Sequence, residues 1–191
     1  MLLLYRYNNR KLYIVASPLG NMKKDLIIKK SKVAGSGLFA NQSYKSGMVV
    51  LQPEGRILHS RDIDWETLGE RSMYYLQVSP WKYLEPSDPR LEHLNHACNP
   101  NLGYKSLDGK VSFVAIKPVR RGDEVTFDYS TTMLEEWDED VSTLQKCNCG
   151  ARNCRGSIKD FRNIPKSDQD RYAKLGVVPD YILNNLKRTK S

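Results

Sequence analysis

The residues of this 191-residue chain best suited to chemistry are four cysteines, all in two places. Cys147, Cys149 and Cys154 fall within the stretch "CNCGARNCRG", and Cys98 lies far upstream in "LEHLNHACNPN". Cysteines two apart both reach one tetrahedral zinc ion when a tight turn follows, and Gly150 supplies that turn. A closed structural zinc site takes four ligands, so one more must come from elsewhere. Cys98 is preferred, because a four-cysteine site leaves no thiol stray; His93, His96 and His59 are the alternatives. Disulfides would need an oxidising compartment that nothing else in the chain calls for. Four thiolates leave no open coordination position, so such an ion is architectural: it pins the C-terminal segment onto the Asn95–Cys98 loop.

Charge says which partners suit the chain. Lys and Arg number 30 against 22 Asp and Glu, a net +8, with 40% hydrophobic and 27% charged residues, as in a soluble globular protein. Residues 123–145 nevertheless hold eight carboxylates and no Lys or Arg, whereas residues 155–191 carry nine basic groups against four acidic. An acidic face repels phosphate and suits a cationic partner, and the segment "MLEEWDED" (Met133 to Asp140) is expected to attract a basic peptide. The basic excess elsewhere keeps nucleic acid open as a further partner but does not require one. "MLLLY" is far short of the roughly 20 residues that span a bilayer and too short for a signal sequence. No membrane association and an intracellular address are expected.

The elements that must position these residues are mostly strands. "DLIIKKS" from Asp25, "MVVLQ" from Met48, "YYLQV" from Tyr74, "VSFVAIK" from Val111 and "EVTFDY" from Glu124 are rich in β-branched and aromatic residues. Ser60–Arg71 reads as a short helix, and Pro165–Gly176 as another that starts on Ser167 with Ser-x-x-Asp. "PDYILNNLKR" from Pro179 is a third. Residues 1–20 read as an opening strand or an irregular extension. The absence of regular βαβ alternation argues against a doubly wound sheet. Gly35-x-Gly37, between two of the strands, allows close approach of the backbone to a ligand, although a lone G-x-G is weak.

Four blocks in order resemble the SET-domain protein lysine methyltransferases. They are Gly35-Ser36-Gly37-Leu38-Phe39-Ala40, Tyr75 in "MYYLQV", Asn95-His96-Ala97-Cys98-Asn99-Pro100-Asn101, and "GDEVTFDY" (Gly122 to Tyr129). "CNCGARNCRGSI" is similar to the post-SET zinc motif of that family. The resemblance covers about residues 25–160, and its specificity lies in the combination of blocks. It implies a mainly β fold, the SET β-clip: several small curved sheets around a knot-like threaded site, with a zinc-clamped post-SET arm and C-terminal helices. The units expected are an N-terminal extension (1–24), the SET domain (25–132), an acidic linker (133–146), the post-SET motif (147–162) and a helical tail (163–191). Ala97 stands where the family usually has Ser, and His93 where an apolar residue is common.

The resemblance further implies S-adenosylmethionine as cofactor, held by Gly35, Ser36, Gly37, Leu38, Tyr75, Asn95 and His96. Ile158 of the arm, with Phe161 as a further candidate, would close over it. Tyr129 would be the catalytic residue, its hydroxyl positioning a lysine amine for in-line attack on the methyl, with the proton lost to water. Phe127 and Tyr104 would line the lysine channel, Phe127 on the same side of its strand as Tyr129. A Tyr at the Phe127 position crowds out further methylation in the family, so Phe127 predicts di- or trimethylation. No cysteine-rich segment precedes Asp25, so the expected substrate is any protein with a basic lysine-containing segment, histone tail or otherwise. The rival from another class is a non-catalytic, zinc-stabilised binding module for nucleic acid or a protein partner.

Overall fold

The computed structural model describes residues 3–7, 10–14, 25–107, 109–133 and 146–188. Among these the chain is mainly β, with four small antiparallel sheets and three α-helices. β1 (Leu3–Tyr7) pairs with β2 (Arg10–Ile14), so the opening apolar run is one arm of a hairpin. β3 (Leu26–Lys30), β4 (Ser36–Ala40) and the two-residue β11 (Glu124–Val125) form a sheet with β4 central. β5 (Val49–Leu51), β9 (Leu102–Leu107) and β10 (Lys110–Ala115) form another around β10. The last contains β6 (Gly55–His59), β7 (Leu76–Ser79) and β8 (Lys82–Pro86), with β8 central. No helix among the described residues is long and apolar enough to cross a membrane.

β10 explains how the C-terminal helices join this core. Strand side chains alternate between faces. Val111, Phe113 and Ala115 enter the main core with Leu38, Leu51, Tyr104 and Phe127, while Val114 enters a second core with Phe161, Ile164, Tyr172, Val177 and Ile182. Gly103 on β9 lets the second core sit flush, since a Cβ there would lie 2.4 Å from Val177 Cγ1 and 2.8 Å from Ile116 Cγ2. The helices involved are α2 (Lys166–Leu175) and α3 (Asp180–Arg188).

Three expectations are corrected. The Ser60–Arg71 helix is broken into a 3-10 turn (Ser60–Asp62), the one-turn α1 (Trp65–Leu68) capped by Asp64, and a second 3-10 stretch (Gly69–Tyr74). Ile63 is drawn into an extended conformation and buried, and Gly69 takes a positive φ of 51°. α2 is capped by Pro165 rather than Ser167, which lies inside the first turn; its other end is Gly176 in the left-handed conformation, as the sequence predicts. The strand expected over Glu124–Tyr129 ends at Val125, because the Asn101 side chain takes its backbone bonds: Asn101 Nδ2 donates to Glu124 O and Thr126 N donates to Asn101 Oδ1. Phe127 then bridges in parallel to His96, and Tyr129 opens a 3-10 turn (Tyr129–Thr131). The acidic stretch from Leu134 to Asp140 lies outside the described residues.

Candidate active site and metal centre

Asn95 joins three segments. Its Nδ2 donates to Ser36 O at 3.0 Å, Ala34 O at 3.3 Å and Glu124 Oε1 at 2.8 Å. Glu124 also accepts from Ser31 Oγ at 2.8 and 3.0 Å, so the carboxylate staples the start of the glycine turn to Asn95. Gly35 turns with φ +44° in open space, whereas Gly37 lies under the staple: a Cβ there would be 2.2 Å from Glu124 Oε1. Ser36 Oγ shares a 2.8 Å hydrogen bond with His93 Nδ1, which gives His93 a partner that its sequence context did not reveal. Gly35, Ser36, Gly37 and Asn95 are thus brought together. Leu38 sends its side chain wholly into the main core.

The Glu124 carboxylate, partner of Asn95 and Ser31, is a residue that the sequence does not single out, although it stands in the "GDEVTFDY" block that carries the resemblance.

Tyr129 is fixed at both ends. Its N–H donates to His96 Nδ1 at 3.2 Å and its hydroxyl to Leu94 O at 2.8 Å. Burial pushes the hydroxyl well above the ordinary tyrosine range, and the phenol of Tyr74 adds to the same effect. Its ring lies 4.8 Å from Phe127, which in turn lies 4.9 Å from Phe113, and Phe113 is 5.6 Å from Tyr104. Tyr104 closes the far end of that row, fully buried, with its hydroxyl donating to Gln77 O at 2.9 Å. It shares the aromatic row with Phe127 and has no exposed surface.

Tyr75 donates to Glu85 Oε1 at 2.8 Å and meets Trp65 edge-on. Tyr74 ends the 3-10 stretch just before it. Both line a cavity of about 390 Å³ with Arg56, Arg71, Glu85 and Glu92. A larger cavity of about 650 Å³, between Pro100, Ile116, Lys117 and α2, includes none of the expected site residues.

His96 is buried, and its pKa is lowered to about 4, mainly by desolvation, with Arg155 pushing the same way and Asp128 opposing. Its imidazole is neutral, with Nδ1 engaged by Tyr129 and Nε2 3.4 Å from Cys98 Sγ. Ile158 is half-buried just beyond Ser157, whose bridge to Lys146 closes the base of the arm. Phe161 is corrected: it is fully buried in the second core and forms no cover.

The four sulfur atoms of Cys98, Cys147, Cys149 and Cys154 lie within 4.8 Å of one another. Cys98 and Cys154 Sγ are 3.7 and 3.6 Å from Cys147 Sγ, close to the roughly 3.8 Å between sulfurs that zinc–thiolate bonds of about 2.3 Å produce in a tetrahedron. Backbone N–H groups of Cys98, Arg155 and Gly156 donate to Cys149, Cys98 and Cys154 Sγ, contacts that suit thiolates. The set fits a closed tetrahedral metal. None of the histidine alternatives belongs to the group: His93 bonds Ser36, His59 caps the turn at Arg61, and His96 meets the cluster only through its 3.4 Å contact with Cys98 Sγ.

Beside the sulfurs, Arg155 forms a two-pronged pair with Asp128, both contacts at 2.7 Å. Asp128 is 1% exposed and also caps the Tyr129 turn through Ser130 N–H.

Comparison with known proteins gives the family. The SET domain model matches residues 35–130, half of the chain, and the chain belongs to the SET-domain family. It is 26% identical over 147 residues to histone-lysine N-methyltransferase SETD1 of Drosophila melanogaster, covering 71% of this chain and 8% of that protein. To histone-lysine N-methyltransferase 2B of Homo sapiens it is 25% identical over 146 residues, 70% of this chain and 5% of that protein. To the H3 lysine-36 specific histone-lysine N-methyltransferase of Eremothecium gossypii it is 22% identical over 145 residues, 70% and 20%. The chain thus spans a fifth or less of the length of these relatives.

Proposed function

We propose that this chain transfers methyl groups from S-adenosylmethionine to the side-chain amine of lysine in a protein substrate. The observation that carries the reading is the Tyr129 hydroxyl, buried against Phe127 and committed as a donor to Leu94 O, one residue from the Asn95 junction. When bound, the cofactor supplies an electrophilic methyl on a sulfonium sulfur, which the amine takes in-line as the sulfur–carbon bond breaks. The donated hydroxyl leaves its oxygen lone pairs to orient the amine. The raised pKa keeps Tyr129 protonated, so it positions and does not serve as a base. His96 is engaged on Nδ1 by the Tyr129 N–H and is not the base either, which leaves water to accept the proton. Alignment of amine, methyl and sulfur is then the main source of rate.

Gly35, Ser36, Gly37, Asn95 and His96 are the residues proposed around the cofactor, with Tyr74 joining Tyr75 on the cavity wall. The four cysteines are proposed to hold a structural zinc ion. Phe127 has no hydroxyl to crowd the amine, which favours di- or trimethylation. The relatives named for histone lysines support a basic protein segment as substrate.

The test is radiolabelled methyl transfer to core histones and to a whole-cell extract. The expected result is labelled lysine, with Tyr129→Phe reducing kcat by about 10²-fold. Undiminished labelling in that variant contradicts the assignment. No labelling together with no cofactor binding by calorimetry supports a zinc-clamped binding module instead. Monomethyl-lysine as the sole product removes the Phe127 argument.

A further inference from the structure

The family match ends at residue 130, yet two hydroxyls from well beyond it reach back to the turn that carries Tyr129. Tyr172, on α2 and 1% exposed, donates to Asp128 Oδ2 at 2.8 Å. Tyr181, on α3, donates to Thr132 O at 3.2 Å and lies 3.3 Å from Gln77 O. Asp128 is the N-cap of the Tyr129–Thr131 turn, and Thr132 is its C-cap. The C-terminal helices therefore hold both ends of the three-residue turn.

These contacts differ in kind from the apolar packing around them. The Asp128 carboxylate is withdrawn from water, so its charge depends on its donors: Arg155, the Ser130 N–H and Tyr172. Apolar surfaces tolerate sliding, whereas a short charge-assisted hydrogen bond fixes direction. If the Tyr172 hydroxyl is lost, one oxygen of a buried charge is left short of a donor and the carboxylate shifts towards Arg155. Because the same carboxylate caps Ser130, the shift is passed to Tyr129. Tyr181 acts at the other end and also ties the turn to Gln77 on β7, two residues from Tyr75.

We propose that Tyr172 and Tyr181 are positioning residues of the methyl-transfer site, so that α2 and α3 are a working part of it. The proposal rests on the reading of Tyr129 as the substrate-orienting hydroxyl. The test uses the full zinc-loaded chain carrying Tyr172→Phe, Tyr181→Phe or both, substitutions that keep the buried rings. With core histones as substrate, Tyr172→Phe is expected to lower kcat about tenfold, as loss of one hydrogen bond to a buried charge implies. KM for S-adenosylmethionine should stay within about twofold, since Asn95 and the glycine turn are untouched, and Tyr181→Phe should have the smaller effect. In parallel, hydrogen exchange should speed up at the amides of residues 129–132 while those of β3, β4 and β10 keep their protection. An unchanged kcat, or exchange that is unchanged or faster throughout the core, overturns the proposal. Should the wild-type chain label neither histones nor a whole-cell extract and bind no cofactor, the functional reading fails by itself, and the exchange measurement alone decides whether the two hydroxyls hold the turn.

Discussion

Asn95 and Cys98 stand three residues apart and fasten the same short segment by opposite means. Asn95 is held by the polypeptide alone: its amide meets two carbonyls and a carboxylate at 2.8–3.3 Å. Cys98 belongs to a sulfur cluster in which burial drives two thiols towards the neutral form, Cys98 to about 11 and Cys147 further still, while at Cys149 the backbone N–H donors outweigh burial and lower the thiol to about 7. Neutral thiols bind one another weakly, and only a bound cation converts the cluster into strong bonds. The glycine-turn side of the site is thus built into the fold, and the arm side is the one that the proposed metal would reinforce.

The largest expected effect separates the two sides outright. Stripping the metal with a chelator, or Cys147→Ser, removes a site of the kind worth about 10–16 kcal/mol in small zinc modules. Hydrogen exchange should become fast over residues 146–158 while β3 and β4 stay protected, and methyl transfer should fall at least about 100-fold, as the arm no longer closes the site. Asn95→Ala is the converse. It removes the two N–H donors that three acceptors share and leaves Glu124 short of one, for about 2–3 kcal/mol of stability. Cofactor binding by calorimetry should weaken about tenfold or more on the same ground, with zinc stoichiometry unchanged.

Smaller effects grade the glycine turn. Gly37→Ala forces the Glu124 carboxylate aside, at about 1–3 kcal/mol in a chemical melt. Gly35→Ala meets no neighbour and carries only the strain of a positive φ, about 1 kcal/mol. It should leave zinc content unchanged; a larger loss of stability from Gly35→Ala than from Gly37→Ala would reverse the reading of this turn.

The parts legible in the sequence were those whose chemistry is local or whose count is closed. Four cysteines with no fifth define a set by exhaustion, and Gly176 ends a helix by its own backbone freedom. The aromatic F-x-Y pair was legible as a pair of neighbours, but for the wrong reason. Alternation along a strand was expected to align Phe127 and Tyr129, whereas the Asn101 amide ends the strand and a parallel bridge plus a turn brings the rings together. Glu124 and Tyr172 were not legible because each owes its place to a partner distant in sequence, Ser31 or Asn95 for the first and Asp128 for the second. The broken helix at Ser60–Arg71 failed because local charge and capping favour a helix there, while burial of Ile63 pulls the backbone out of one.

The contact between Cys98 and Cys147 also bears on the unfolded chain. It joins residues 49 apart in sequence. Loop-closure entropy grows with the logarithm of length, so a metal clip across a long separation restricts the unfolded chain more than one between near neighbours. An ion held by these sulfurs should therefore register as a gain in melting temperature of the whole domain and not of the arm alone.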